Sequence, residues 1–79
     1  MTLEIATPQK TLFQGEVDSV QCKGLDGYFQ ILNNHAPMIA IIVKGNIKYT
    51  LKNDKNAYFI QTNKAVLKVK DNNVVILSE

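Results

Sequence analysis

The sequence contains no arginine and no tryptophan, and it has one histidine, one cysteine and two prolines in 79 residues. Each scarcity excludes something. Without arginine, nine lysines supply all the side-chain positive charge apart from His35, and the planar, bidentate donor that nucleic-acid readers favour is missing. The lysines are spread along the chain rather than clustered. That spread suits solvated strand faces and edges guarded against sheet-to-sheet association. One cysteine cannot close an internal disulfide. One histidine and one cysteine give no zinc spacing, and neither a nucleophile elbow nor a phosphate loop is present. No metal, cofactor or catalytic residue is therefore expected. The longest apolar run, Met38 to Val43, has six residues, which is strand length and far short of the ~20 that span a bilayer. With no signal peptide in view, a reducing, cytosolic setting is the default.

What is present is a run of short alternating segments. Leu3 and Ile5 share one face of an opening strand, and Pro8 ends it. Lys10 to Phe13 restarts an extended segment, with Gly15 read as a turn or bulge. Glu16 to Lys23 reads as one strand, with Val20 and Cys22 on one side. Gly24-Leu25-Asp26-Gly27 is a hairpin. Met38 to Val43 is apolar at consecutive positions, which predicts a strand buried on both faces. Ile47, Tyr49 and Leu51 alternate with Lys48, Thr50 and Lys52. Ala57 to Gln61, Val66 to Lys70 and Val74 to Leu77 follow, separated by Asn- and Asp-rich turns. Turn signals every ~8–12 residues and no helical periodicity predict an all-β fold, a small antiparallel β-sandwich forming a single domain over residues 1–79. Such a chain is expected to be stable by roughly 4–12 kcal/mol.

Within this pattern, residues Asp26 to Pro37 form turn, strand, turn. Asp26-Gly27 suits a tight hairpin, Tyr28 to Leu32 favours a pleated surface, Asn33-Asn34 breaks the ladder, and Pro37 holds Ala36 extended. His35 sits in that corner, either bonding backbone carbonyls or forming a protein contact. Tyr28 has two readings as well, core or interface. Cys22 reads as a small core hydrophobe, and the sequence alone leaves a Cys22–His35 dyad open. Asp54-Lys55 lies in a polar hairpin loop. A lysine so placed allows a second reading, a lipoyl- or biotinyl-type carrier domain modified on Lys55. A third, a barrel binding single-stranded nucleic acid, needs aromatics on a basic face. The aromatics are few and no arginine backs them, so no nucleic-acid partner is expected.

The stretch Asp26-Gly27, Phe29, Ile31-Leu32 and His35-Ala36-Pro37 resembles the hallmark segment of the epsilon subunit of rotary, F-type ATP synthases. The likeness extends over nearly the whole chain, from Leu3 to Pro8 and Leu12 to Val17 through Val20 to Gly24, Gly45 and Ile47, to Val66 to Val69 and Asn73 to Leu77. Gln30, Asn33 and Lys64-Ala65 depart from the family's usual glycines and proline. The resemblance implies the N-terminal β-sandwich domain, without the C-terminal helical hairpin that many members carry. It implies a non-catalytic central-stalk subunit of a proton-translocating ATP synthase. Such a subunit clamps the gamma subunit, sits on the membrane ring, touches the catalytic head only indirectly and couples ring rotation to ATP synthesis. By carry-over, His35, Ala36, Pro37, Met38 and Ala40 lie toward gamma, and Asp26, Gly27 and Tyr28 face the ring. The implied place is peripheral, on the cytoplasmic face of the cell's inner membrane.

Overall fold

A computed structural model describes residues 1–79. Nine strands and no helix make up the chain: β1 (Thr2–Ala6), β2 (Thr11–Glu16), β3 (Ser19–Gly24), β4 (Gly27–Leu32), β5 (Met38–Ile42), β6 (Gly45–Thr50), β7 (Ala57–Thr62), β8 (Ala65–Lys70) and β9 (Asn73–Ser78). They pair in the order β2-β1-β9-β8-β5-β3-β6-β7, with β4 on the far side of β3. The β5–β3 link is a single bridge, Gly24 opposite Ile42. The result is a nearly closed sandwich: five strands, β2-β1-β9-β8-β5, face four, β4-β3-β6-β7. All pairings are antiparallel except β1 with β9.

Strand alternation fills the space between the layers. Leu3, Ile5, Leu67, Val69, Val74, Ile76 and Ile42 meet Val20, Cys22, Ile31, Ile47 and Tyr49 in one apolar cluster. The alternating segments placed Leu3 and Ile5, Val20 and Cys22, Ile47 and Tyr49, and Leu67 and Val69 inward as expected. Three local readings change. Residues 16–23 are not one strand: Val17-Asp18 turns the chain from the five-stranded layer to the four-stranded one. There the Val17 N–H donates to the Met1 carbonyl at 2.9 Å and that of Asp18 to Thr50 at 2.7 Å. Gly15 lies inside β2, paired with Leu3, and the register shift falls between Phe13 and Thr11 instead. A Cβ at Gly15 would stand 3.3 Å from the Phe13 ring, so the glycine leaves room for an aromatic neighbour two positions away. The third change concerns β5. Met38 and Ala40 lean on the core and Ile42 is fully buried, but Ile39 and Ile41 face outward. Burial on both faces does not occur within this chain.

The turns follow side-chain chemistry. Asp71 and Asn72 both have positive φ, 53° and 61°, as a two-residue type I′ hairpin between β8 and β9 requires. The Asn72 Oδ1 also accepts the Asn34 N–H at 2.8 Å, and Asn34 itself has φ 63°. One asparagine thus shapes its own hairpin and pins the β4–β5 corner. In the β3–β4 hairpin the positive φ falls on Gly27, at 124°, while Leu25 and Asp26 form the tip.

Cys22 is the small core residue expected. Burial pushes its thiol up to about 12 from an ordinary 9.0. In the unfolded chain the thiol ionises near its ordinary value, whereas in the fold it stays neutral, so its contribution to stability is complete below pH 9 and is lost as pH rises toward 12. Urea unfolding at pH 8 and at pH 10.5 should show stability falling by about 1.4 kcal/mol per pH unit above pH 9 from this group. The Cys22→Val variant should lack that component; an unchanged pH slope would remove the thiol as its source.

Candidate docking surfaces

Strand direction sorts the loops into two ends of a body measuring 30 × 24 × 21 Å. The Asn33–Pro37 corner lies at one end with the β2–β3 turn, the β6–β7 loop and the β8–β9 turn. The β3–β4 hairpin lies at the other, with the β5–β6 and β7–β8 turns. The two groups of residues singled out in the sequence therefore sit at opposite ends.

At the first end His35, Ala36 and Pro37 are all exposed. The His35 Nδ1 donates to the Ala36 carbonyl oxygen at 2.7 Å, which orients the ring and leaves Nε2 free. Behind them Asn33 holds the strand end: its Nδ2 donates to Asp18 at 3.2 Å and its Oδ1 accepts from the Met1 amino group at 2.6 Å. Met38 and Ala40 are half-buried against the core. The outward positions of β5 are Ile39, 72% exposed, and Ile41, and sequence reading passed over both as buried. A groove of about 360 Å³ between Pro37, Met38, Ile39, Val69 and the stems of Lys68 and Lys70 continues from the corner.

Register shows how far this apolar surface extends. Ile41 pairs with Val66, Val66 with Leu77 and Leu77 with Ala6. These residues form an apolar row across β5, β8, β9 and β1. The next row is Ile39, Lys68, Val75 and Glu4, and the following one, Lys70, Asn73 and Thr2, is polar. Ile39, Ile41, Val66 and Leu77 are each at least 45% exposed. Single exposed apolar residues are ordinary, but a contiguous group on one sheet face marks an interaction surface.

At the second end Leu25, Asp26, Gly27 and Tyr28 project into solvent. The Lys23 ammonium lies 5.8 Å from the Tyr28 ring centroid, a cation–π contact that holds the ring at the tip. Of Tyr28's two readings, exposure selects the surface one.

The remaining candidates do not come together. Cys22 faces the core and His35 faces solvent, so the dyad does not form. Lys55 is exposed in the loop between β6 and β7. The neighbouring Asp54 is fixed by accepting the Asn56 N–H at 2.9 Å and the Tyr58 hydroxyl at 2.7 Å. The Asn56 N–H and the Tyr58 hydroxyl hold the Asp54 carboxyl below the usual range, and the same carboxylate raises the Tyr58 hydroxyl. This is a self-contained loop lock.

The sequence and the fold are similar to those of known proteins. The family model described as "ATP synthase, Delta/Epsilon chain, beta-sandwich domain" matches residues 1–79. The ATP synthase epsilon chain of Chlorobium limicola is 42% identical over 98% of this chain and 86% of its own length. That of Chlorobaculum tepidum is 38% identical over 99% and 88%. Against the Leptospira borgpetersenii epsilon chain the identity is 34% over the whole of this chain but 61% of the relative. Among solved structures, the Tetrahymena thermophila mitochondrial ATP synthase central stalk and c-ring contains a chain of the same fold, with TM-score 0.83 and 18% identity. The match covers 99% of this chain and 62% of that one. None of these names a lipoyl or biotinyl carrier, and the reading of Lys55 as a modified residue has no support among them. The chain belongs to the epsilon-chain family of the ATP synthase, as the β-sandwich domain of that non-catalytic subunit.

Proposed function

We propose that this domain is a stiff adaptor in the rotor of a proton-translocating ATP synthase, gripping the gamma subunit with one surface and resting on the membrane ring with another. The supporting observation is the uncovered apolar face, Ile39, Ile41, Val66 and Leu77, running on from the His35-Ala36-Pro37 corner. A sheet face of this composition is satisfied by a partner. The groove beside Pro37 accepts an apolar side chain, and Lys68 and Lys70 on its rim favour a carboxylate next to it. Met38 and Ala40 contribute from beneath, holding β5 in place. The Asp26-Gly27-Tyr28 tip, at the other end, meets the polar loops of the ring. Torque passes between the two through a nine-stranded body without a helix or long flexible linker. The site of action is the cytoplasmic face of the inner membrane, and the catalytic head is reached only through gamma.

The test is to mix the chain with the gamma subunit of the same complex and follow it by calorimetry and size exclusion. A one-to-one complex is expected, weakened by His35→Glu. Two folded partners that do not associate would remove the clamp. In membranes carrying the whole synthase, Asp26→Lys combined with Tyr28→Glu should lower ATP-driven proton pumping; unaltered pumping would take the hairpin off the ring.

A further inference from the structure

The outer face of the four-stranded layer has a different character from the apolar one. Lys23 from β3, Tyr28 from β4, Lys44 from the β5–β6 turn, Asn46 and Lys48 from β6, and Phe59 from β7 surround a cleft of about 500 Å³. They converge because β3 pairs with both β4 and β6, and β6 with β7. The single β5–β3 bridge, continued by the Val43 N–H donating to the Lys23 carbonyl at 3.0 Å, brings Lys44 alongside Lys23.

We propose that this cleft binds a phosphate-bearing anion. No carboxylate lines it. None of its three ammonium groups has an acidic partner, since the only ion pair in the structure joins the Met1 amino group to Glu16. Three like charges therefore share one concavity uncompensated, an arrangement that a multiply charged anion relieves. The amides of Gln21 and Asn46 also line the cleft and supply donors to the same space. Lysine ammoniums are point charges, suited to phosphate oxygens, and the cleft has no guanidinium to select a planar carboxylate bidentately. Its volume lies in the range of small-molecule sites and exceeds one phosphate group, so the ligand has a further body. Tyr28 and Phe59, 69% and 61% exposed, provide flat apolar surface for that body. Phosphate of this kind comes from two sources, an anionic lipid headgroup or a soluble phosphorylated compound. The cleft adjoins the Tyr28 end, which the proposed orientation turns toward the membrane, but the chemistry is the same for either.

Inorganic tripolyphosphate and vesicles of phosphatidylglycerol with phosphatidylcholine, each offered to the full chain, separate the sources. With tripolyphosphate, amide resonances of Lys23, Lys44 and Lys48 should shift saturably, and affinity should fall steeply with added salt. The double variant Lys23→Glu, Lys44→Glu should weaken binding at least about tenfold. Lys10→Glu with Lys52→Glu makes the same charge change away from the cleft and should weaken it far less. Cosedimentation with the anionic vesicles but not with phosphatidylcholine alone, lost in the first variant, assigns the headgroup. Tripolyphosphate binding without cosedimentation assigns the soluble source. Equal loss in both double variants, or no binding of either probe, overturns the site.

Discussion

Ile39→Glu should reduce affinity for the gamma subunit about thirtyfold or more while leaving the domain folded. The side chain projects from β5 beside the Pro37 groove and is 72% exposed in the free chain. Its removal therefore creates no cavity, and exposed substitutions usually change stability by less than about 0.5 kcal/mol. Lys68 stands directly opposite it in the register, so the new carboxylate gains a cross-strand partner of opposite charge. In the complex the balance reverses. An apolar partner surface would desolvate the carboxylate, and loss of an anchor at the centre of an interface commonly costs 2 kcal/mol or more, with about 1.4 kcal/mol for each tenfold in affinity. Thermal unfolding of the free variant and calorimetric titration with gamma separate the two effects. Gln61→Glu, on the outer face of β7, is the matched control and should bind as the parent does. Parental binding by Ile39→Glu would show that gamma grips the domain elsewhere.

Leu67→Ala should produce the largest loss of stability among single core changes. Leu67 is fully buried at the middle of β8, between Ala40 of β5 and Ile76 of β9. Its surroundings are held by ladders on both sides, so the space it leaves closes poorly. Truncations of this kind cost about 2–5 kcal/mol, against a total expected at roughly 4–12 kcal/mol for a chain this long. At about 4–8 °C per kcal/mol for a small domain, the melting temperature should fall by about 8–40 °C. The neighbouring Val66→Ala, one residue along and on the outer face, should move it by only a few degrees. Similar shifts for the two variants would mean that the layers are not packed through Leu67.

The contrast between Leu67 and Ile39 shows what the sequence made legible. Val66 to Lys70 and Ile47 to Thr50 alternate cleanly, and their inner faces could be assigned from the pattern because only one side of each strand meets apolar atoms. Met38 to Val43 could not be resolved that way. An isoleucine buried by its own fold and one left facing outward look alike in a run of consecutive apolar residues, since such a run shows no alternation to sort them. The hallmark stretch from Asp26 to Pro37 was legible as turn, strand, turn because glycine, asparagine and proline restrict the backbone locally. The Asn34–Asn72 hydrogen bond was not, because its partners are 38 residues apart. Nor was the basic cleft. Lys23, Lys44 and Lys48 read as dispersed charges, and only the pairing of β3 with β6 and the β5–β3 bridge gathers them around Tyr28 and Phe59.

One feature of the topology governs how the chain reaches this state. β9 lies between β1 and β8 and pairs with β1 in parallel, Leu3 opposite Val74 and Ile5 opposite Ile76. The β1–β2 hairpin, made first, has no other neighbour in the sheet. It waits for the last strand before Leu3 and Ile5 gain their cover. Closure thus joins residues more than 70 positions apart, a contact of the longest range the chain offers, and topologies of this kind fold slowly for their size. On the ribosome the nascent domain keeps an open sheet edge until Asn73 to Ser78 leaves the exit tunnel, and the edges of β1 and β8 that this strand covers stay unpaired during that interval.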